Sequence, residues 1–77
     1  MSEPTEYEVD ARRLLCPMPV IRVQDRVNGL ESGARVRVFC TDPGALADVP
    51  AWCRVHGHRV LEAREADGEV EILIEVG

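Results

Sequence analysis

The stretch RRLLCPMPVIR, Arg12–Arg22, places a cysteine directly before two prolines at a point where a helical pattern begins. Proline is harmless only in the first turn of a helix, because the first N–H groups there have no carbonyl partner inside the helix. Proline also disfavours helical geometry in the residue that precedes it. We therefore expect Cys16 to be the N-cap of a helix, with Pro17 as its first residue and Pro19 as its third.

The residues on either side of this stretch predict a strand followed by a helix. Upstream, apolar and polar residues alternate over Tyr7–Ala11, which is typical of a half-buried strand. Downstream, the apolar residues have the spacing of one helical face: Val20, Val23, Val27 and Leu30. Asn28-Gly29 then supplies the left-handed stop that commonly ends a helix.

The second half of the chain begins with another strand and another helix. Ala34–Cys40 alternates between apolar and polar residues. Asp42 is a suitable N-cap, and Pro43 a suitable first helical residue. Pro50 inside a helix would cost about 3 kcal/mol, so we expect a loose first turn and a regular helix that starts near Asp48.

This helix should end at Gly57, and two strands should follow at about residues 58–65 and 69–76, joined by the hairpin signal Asp67-Gly68. The predicted fold is therefore an α/β (α+β) two-layer sandwich of order β-α-β-α-β-β, with both helices on one face of a mixed four-stranded sheet. We treat residues 1–77 as a single domain with a flexible tail at residues 1–4. On the open face, strand 2 between strands 1 and 4 would place arginines among glutamates: Glu6, Glu8, Arg35, Arg37, Glu69, Glu71 and Glu75.

Composition excludes several classes of function. The chain has 77 residues and a net charge of −5, which disfavours a nucleic-acid binder. It contains no lysine for a Schiff base, and its only serines are Ser2 and Ser32, so a serine triad is not expected. It has no apolar run long enough for a membrane span and starts with an acidic, polar segment, which favours a cytoplasmic protein. Three cysteines, an odd number, argue against a disulfide scaffold.

The predicted position of Cys16 favours a reactive thiolate. The positive end of a helix dipole, with the free N–H groups of Met18 and Val20 directed at the sulfur, would lower the thiol pKa below about 8.5. Three arginines close in sequence would add to this effect: Arg12, Arg13 and Arg22. No second cysteine lies within three residues, so the pattern suits a sulfur that accepts a group and passes it on. The alternative is a chance cysteine that acts as a small buried apolar residue.

Two blocks of sequence resemble the TusA/SirA-like sulfur-carrier family. DARRLLCPMPVIR is similar to the CPxP signature of that family, and TDPGALADVPAWC is similar to its second block. The following GHRV and the closing hairpin also fit, so the resemblance covers nearly the whole chain.

The resemblance implies a fold like the C-terminal domain of a bacterial translation initiation factor, with sheet order 1-2-4-3 and strand 4 antiparallel to the rest. It implies that Cys16 is the catalytic residue and accepts sulfane sulfur as a persulfide, with Pro17, Met18, Pro19, Arg12, Arg13 and Arg22 supporting the site. The implied partners are a protein sulfur donor, such as a cysteine desulfurase, and a protein sulfur acceptor. Cofactors, metals, membranes and direct contact with nucleic acid are not expected.

Arg13 departs from the family pattern, in which glycine usually stands about three residues before the cysteine. Glycine permits a left-handed backbone, whereas arginine restricts it and adds charge beside the sulfur. This difference favours a paralogue with a different acceptor over the family member that serves 2-thiouridine synthesis on tRNA. Sulfur oxidation, molybdenum-cofactor-linked sulfur use and thiosulfate uptake are the other pathways that the family serves.

The remaining candidate residues have structural interpretations beside functional ones. Cys40 and Cys53 are predicted to be buried core thiols. Cys53 could instead join His56 and His58 in a zinc site, although strand alternation would turn His58 away from the helix. Trp52 is predicted at the edge of the core or as an anchor for a partner, and Met18 as a partner contact or as a cover for Cys16. The alternative function is a non-catalytic regulatory or interaction module of the same fold.

Overall fold

The computed structural model describes residues 6–15 and 17–77. The predicted tail at residues 1–4 and Cys16 lie outside the described residues. The chain forms six elements in the predicted order: β1 (Glu6–Ala11), α1 (Met18–Val27), β2 (Arg35–Cys40), α2 (Ala45–His56), β3 (Arg59–Ala66) and β4 (Glu69–Glu75).

The sheet has the strand order β1-β2-β4-β3. β1 and β2 are parallel, and β4 is antiparallel to both of its neighbours, as the family resemblance implied. In the β1–β2 pair Ala11 lies beside Cys40, so the two strands end together. The segments that follow these strands therefore begin side by side.

One face of the sheet packs against the two helices and forms the core. Every buried side chain among the described residues is apolar or a thiol. The sheet contributes alternate residues of its strands, and the helices contribute residues about one turn apart. The largest fully buried side chains are Ile72, Ile74, Val23, Val36, Val38, Val49, Val70, Cys40 and Cys53.

The other face of the sheet carries the predicted arginine–glutamate network. Arg37 of β2 forms ion pairs with Glu6 of β1 at 3.1 Å and with Glu71 of β4. Arg64 of β3 also contacts Glu71, at 3.3 Å, so the network crosses all four strands. The hydrogen bond from Arg37 is the main reason that the pKa of Glu71 is lowered.

Arg64 and Glu71 are directly opposite each other, whereas the two ion pairs of Arg37 are diagonal. The residues directly opposite Arg37 are Glu8 and Leu73, but its ion pairs are with Glu6 and Glu71. A long guanidinium side chain can reach a diagonal neighbour across a sheet as readily as the opposite residue. The strand pattern therefore predicted the network but not its connections.

Both helix starts differ from the prediction. The N-cap of α1 is Pro17 and its first residue is Met18, so the predicted N-cap at residue 16 is wrong. The Pro17 carbonyl accepts a bond from the Ile21 N–H at 3.2 Å. Pro17 can serve here because an N-cap only has to accept a hydrogen bond through its carbonyl, and proline retains that group.

α2 begins at Ala45 rather than near Asp48, and Pro50 lies inside it. The turn before Pro50 is held by a bond from the Asp48 N–H to the Gly44 carbonyl at 3.0 Å and by the burial of Ala45. Proline in the second turn removes only one backbone bond, and α2 still buries Val49, which is worth about 1.5–3 kcal/mol, together with Ala45 and Cys53. The N-cap is Gly44, so the predicted N-cap at Asp42 and first helical residue at Pro43 are wrong. The Asp42 carboxylate instead accepts the Gly44 N–H at 3.1 Å in a local turn before the helix.

β3 is an edge strand that is mostly exposed on both faces. A β-bulge lies between Val60 and Glu62 and interrupts the alternation of this strand. Its exposed residues include the charged Arg59, Glu62, Arg64 and Glu65, which oppose pairing with another sheet edge.

Candidate functional site

The β1–α1 loop, residues 12–17, starts from a well-anchored arginine. The Arg12 N–H donates to Asp10 Oδ1 at 3.1 Å, and its guanidinium donates to Glu69 Oε1 at 3.4 Å. The guanidinium also lies 4.7 Å from the centre of the Phe39 ring. Arg12 therefore serves to fasten the loop to the open face of the sheet, and its charge is balanced there.

Arg13 has a left-handed backbone, with φ of +65°. Its N–H donates to Thr41 Oγ1 at 2.8 Å, which ties the loop to the residue that follows β2. The arginine thus keeps the conformation that it was expected to restrict. A non-glycine residue in this region is uncommon, and the other example among the described residues is Asp67 in the hairpin turn.

The segments before and after Cys16 are tied directly to each other. The Met18 N–H donates to the Leu15 carbonyl at 2.8 Å. This bond contradicts the expectation that the Met18 N–H is free to face a sulfur. Cys16 itself lies outside the described residues, so its predicted role remains a prediction.

The apolar residues around Cys16 divide between the surface and the core. Leu15 is 75% exposed, and Met18 and Ile21 are each 42% exposed. We call these three residues the apolar patch. Pro17 is exposed as well, whereas Pro19 is buried and anchors the first turn of α1 against the core. The chain on both sides of residue 16 therefore lies at the surface.

Two further arginines of this region, Arg22 and Arg26, lie on α1. Arg26, in the last turn of α1, lies over the Tyr7 ring at 4.6 Å, at the opposite end of the helix from the loop. Arg22 is exposed in the middle of α1. The expectation that Arg22 supports Cys16 stays a prediction, because Cys16 lies outside the described residues.

Cys40 and Cys53 are buried free thiols, as predicted. Burial raises the pKa of Cys53 to about 11. The pKa of Cys40 is also raised to about 11, mainly by burial and further by the negative charges of Asp42 and Asp10. Thiols of this kind are protonated and unreactive near neutral pH.

A cluster of rings lies at the opposite end of the sheet from the β1–α1 loop. The half-buried Trp52 packs on the core and lies 5.0 Å from the His58 ring and 5.1 Å from the His56 ring. The expectation that His58 points away from the helix is wrong, because His58 precedes β3 and turns back onto α2. Its Nδ1 accepts the Gly77 N–H at 3.0 Å, and its pKa is lowered by burial and by His56. In the described part of the chain, no group of His, Cys, Asp and Glu side chains is arranged to hold a metal ion.

Two residues of the loop's surroundings were not identified from sequence. Thr41 orients Arg13 through its hydroxyl, and Phe39 supports the Arg12 guanidinium. Neither carries a sequence signal, because both roles depend on β1 and β2 ending side by side.

Residues 7–76 match the family model described as Sulfurtransferase TusA. The sulfur carrier protein TusA of Allochromatium vinosum is 35% identical over 69 residues, which is 90% of this chain and 91% of that protein. The putative sulfur carrier protein YrkI of Bacillus subtilis is 39% identical, over 90% of this chain and 92% of its own length.

A solved structure shows the same fold. The SirA-like protein of Desulfitobacterium hafniense superposes with a TM-score of 0.81 at 29% identity, over 92% of this chain and 97% of its own. Among the described residues, no helix has both the length and the apolar character needed to cross a membrane. The order of elements, the sheet topology and the matched sequence all agree, and we conclude that the chain belongs to the TusA sulfurtransferase family.

Proposed function

We propose that this protein carries sulfur as a persulfide on Cys16, between a donor protein and an acceptor protein. The names of its relatives support a sulfur-carrier role. The assignment to Cys16 is carried by one observation, the burial of the other two thiols. Cys40 and Cys53 lie in the core with pKa values near 11, which leaves Cys16 as the candidate for sulfur chemistry.

The surroundings of Cys16 suit transfer between two proteins. Its neighbours Leu15 and Pro17 are exposed, so the surface there is accessible to a partner. Cys16 immediately precedes the N-cap of α1, where the helix dipole favours a negative charge. Arg13 and Arg22 add positive charge nearby in sequence, and Pro19 fixes the first turn in the core.

The proposed transfer is a thiol–persulfide exchange without a net change of oxidation state. The Cys16 thiolate attacks the outer sulfur of a donor persulfide, the donor S–S bond breaks, and the donor thiolate leaves. A new S–S bond then joins the transferred sulfur to Cys16. The acceptor repeats the same exchange, with the Cys16 thiolate as leaving group.

The test is to incubate the protein with a purified cysteine desulfurase and L-cysteine and to measure the intact mass. We expect an adduct of about 32 Da that a reductant removes. The adduct should disappear in Cys16→Ala and persist in the matched controls Cys40→Ala and Cys53→Ala. An adduct that survives in Cys16→Ala, or no adduct in the wild type, would refute the proposal.

The same variants test the alternative function as a non-catalytic interaction module. If Cys16→Ser retains both partner binding and the cellular phenotype, the module interpretation is favoured over sulfur transfer. Direct binding of nucleic acid stays disfavoured, because Arg12, Arg37, Arg59 and Arg64 have carboxylate partners on the open face of the sheet. We expect the protein to act in the cytoplasm, where thiols are kept reduced.

A further inference from the structure

Thr41 connects the two loops that leave the carboxyl ends of β1 and β2. It directly follows β2, and its Oγ1 accepts the Arg13 N–H at 2.8 Å, from a residue 28 positions earlier in the chain. The contact is possible because the two strands end together, with Ala11 beside Cys40. The hydroxyl of Thr41 therefore joins the loop that contains Cys16 to the β2–α2 segment.

The residues on either side of Thr41 hold it in place. Cys40, directly before it, is fully buried at the end of β2. Asp42, directly after it, accepts the Ala45 N–H through its carbonyl at 3.0 Å and the Gly44 N–H through its carboxylate at 3.1 Å. A group supported in this way on both sides can fix the position of its own partner.

The conformation that Thr41 supports is an unfavourable one. The φ of Arg13 is +65°, a region in which the Cβ of an L-residue comes too close to the backbone. The steric cost of this conformation and the net contribution of one hydrogen bond are similar in size. Since the bond from the Arg13 N–H to Thr41 largely offsets the strain, its loss would let residue 13 populate ordinary backbone conformations as well.

The backbone at residue 13 sets the path of the chain towards Cys16. Leu14, the next residue, packs against the core, whereas Leu15 is 75% exposed. The Leu15 carbonyl then accepts the Met18 N–H at 2.8 Å, in a bond that spans Cys16. A change of φ at Arg13 would turn this bonded segment relative to the sheet.

We infer that Thr41 is a positioning residue for sulfur transfer, because its hydroxyl keeps Arg13 left-handed and so keeps the Cys16 loop in one geometry. The inference rests on the proposed function. In a persulfide exchange the attacking thiolate must be aligned with the outer sulfur of the donor, and a loop with several geometries is aligned for a smaller fraction of the time. The effect of Thr41 therefore belongs to the limiting rate of transfer and not to the affinity for the donor.

The experiment measures single-turnover transfer from a persulfide-loaded cysteine desulfurase over a range of concentrations of this protein. Thr41→Val removes the acceptor and keeps nearly the same shape. We expect its limiting rate constant to fall about 2- to 10-fold, the factor that corresponds to one neutral hydrogen bond. The half-saturation concentration should stay within about 2-fold of the wild type. Thr41→Ser retains the hydroxyl and should restore the wild-type rate constant.

Two controls separate positioning from a loss of stability. Glycine adopts the left-handed conformation without strain, so the effect of Thr41→Val should shrink to less than about 2-fold in an Arg13→Gly background. Val60 packs partly buried against the core from β3, the strand at the opposite edge of the sheet from β1. Val60→Ala should therefore lower stability and leave the limiting rate constant unchanged.

Each outcome supports or refutes the inference. If Thr41→Val reaches the wild-type limiting rate constant, or changes only the half-saturation concentration, the positioning role is refuted and the carrier function stands. The role is also refuted if Thr41→Ser does not restore the rate constant, if Val60→Ala lowers it equally, or if the effect persists undiminished in Arg13→Gly. If the wild type accepts no sulfur on Cys16, the proposed function itself fails.

Discussion

Replacing Arg13 with glycine should make the protein more stable, although the substitution removes a large side chain. A left-handed backbone costs an L-residue about 1–2 kcal/mol, and glycine avoids this cost. Glycine in turn loses about 0.4–1 kcal/mol through the greater freedom of its unfolded chain. The bond from residue 13 to Thr41 uses the backbone and is retained. The expected net gain is about 0.5–1 kcal/mol, or about 2–8 °C in melting temperature for a domain of this size.

Urea unfolding followed by circular dichroism is a suitable assay, because small domains usually unfold in a single transition. Asp67→Gly is the matched control, since Asp67 has a similar backbone, with φ of +54°, in a turn that tolerates aspartate. We expect a smaller gain from Asp67→Gly than from Arg13→Gly.

A loss of stability in Arg13→Gly would refute this reasoning. It would mean either that the Arg13 side chain makes a stabilising contact within the fold or that the left-handed backbone is not adopted. Arg13→Asn distinguishes these cases, because asparagine tolerates the left-handed region without supplying a charge.

Thr41→Val should destabilise the protein by about 1 kcal/mol in urea unfolding, because the Arg13 N–H loses its acceptor, whereas Thr41→Ser should not. Arg37→Met should lower the free energy of unfolding at pH 7. The difference from the wild type should shrink as the pH falls through the lowered pKa of Glu71, since protonated Glu71 no longer pairs with Arg37. An equal difference at pH 2 would contradict this. The pKa of His58 is lowered in the folded state. The neutral His58 ring therefore contributes to the free energy of unfolding above the unfolded pKa, and this contribution is lost as the pH falls through the folded pKa. Because Trp52, the single tryptophan, stacks on His58, its fluorescence should change in a step as His58 is protonated. His58→Asn should abolish this step, and an unchanged step would contradict its assignment to His58.

The sequence predicted the elements of the fold wherever local patterns determine them. Alternation identified the strands, helical spacing identified α1, and Gly57 marked the end of α2. The predictions failed where a tertiary contact outweighed a local preference. Pro50 is a poor helix residue, but the buried side chains of α2 stabilise a helix that includes it. His58 was assigned by strand alternation, but packing against Trp52 decided its direction.

The sequence by itself determined the family and the fold class, because two motif blocks and the periodicity of apolar residues are properties of the chain alone. The sequence also distinguished Cys16, which is followed by a proline, from Cys40 and Cys53, which lie on the apolar faces of a predicted strand and a predicted helix. Only the tertiary structure decided which arginines form ion pairs. Arg12 pairs with Glu69, which is distant in sequence, whereas Arg13 forms no ion pair with a carboxylate among the described residues. The physical reason is that ion pairs and backbone strain depend on which strand ends come together, and a linear pattern does not contain that information.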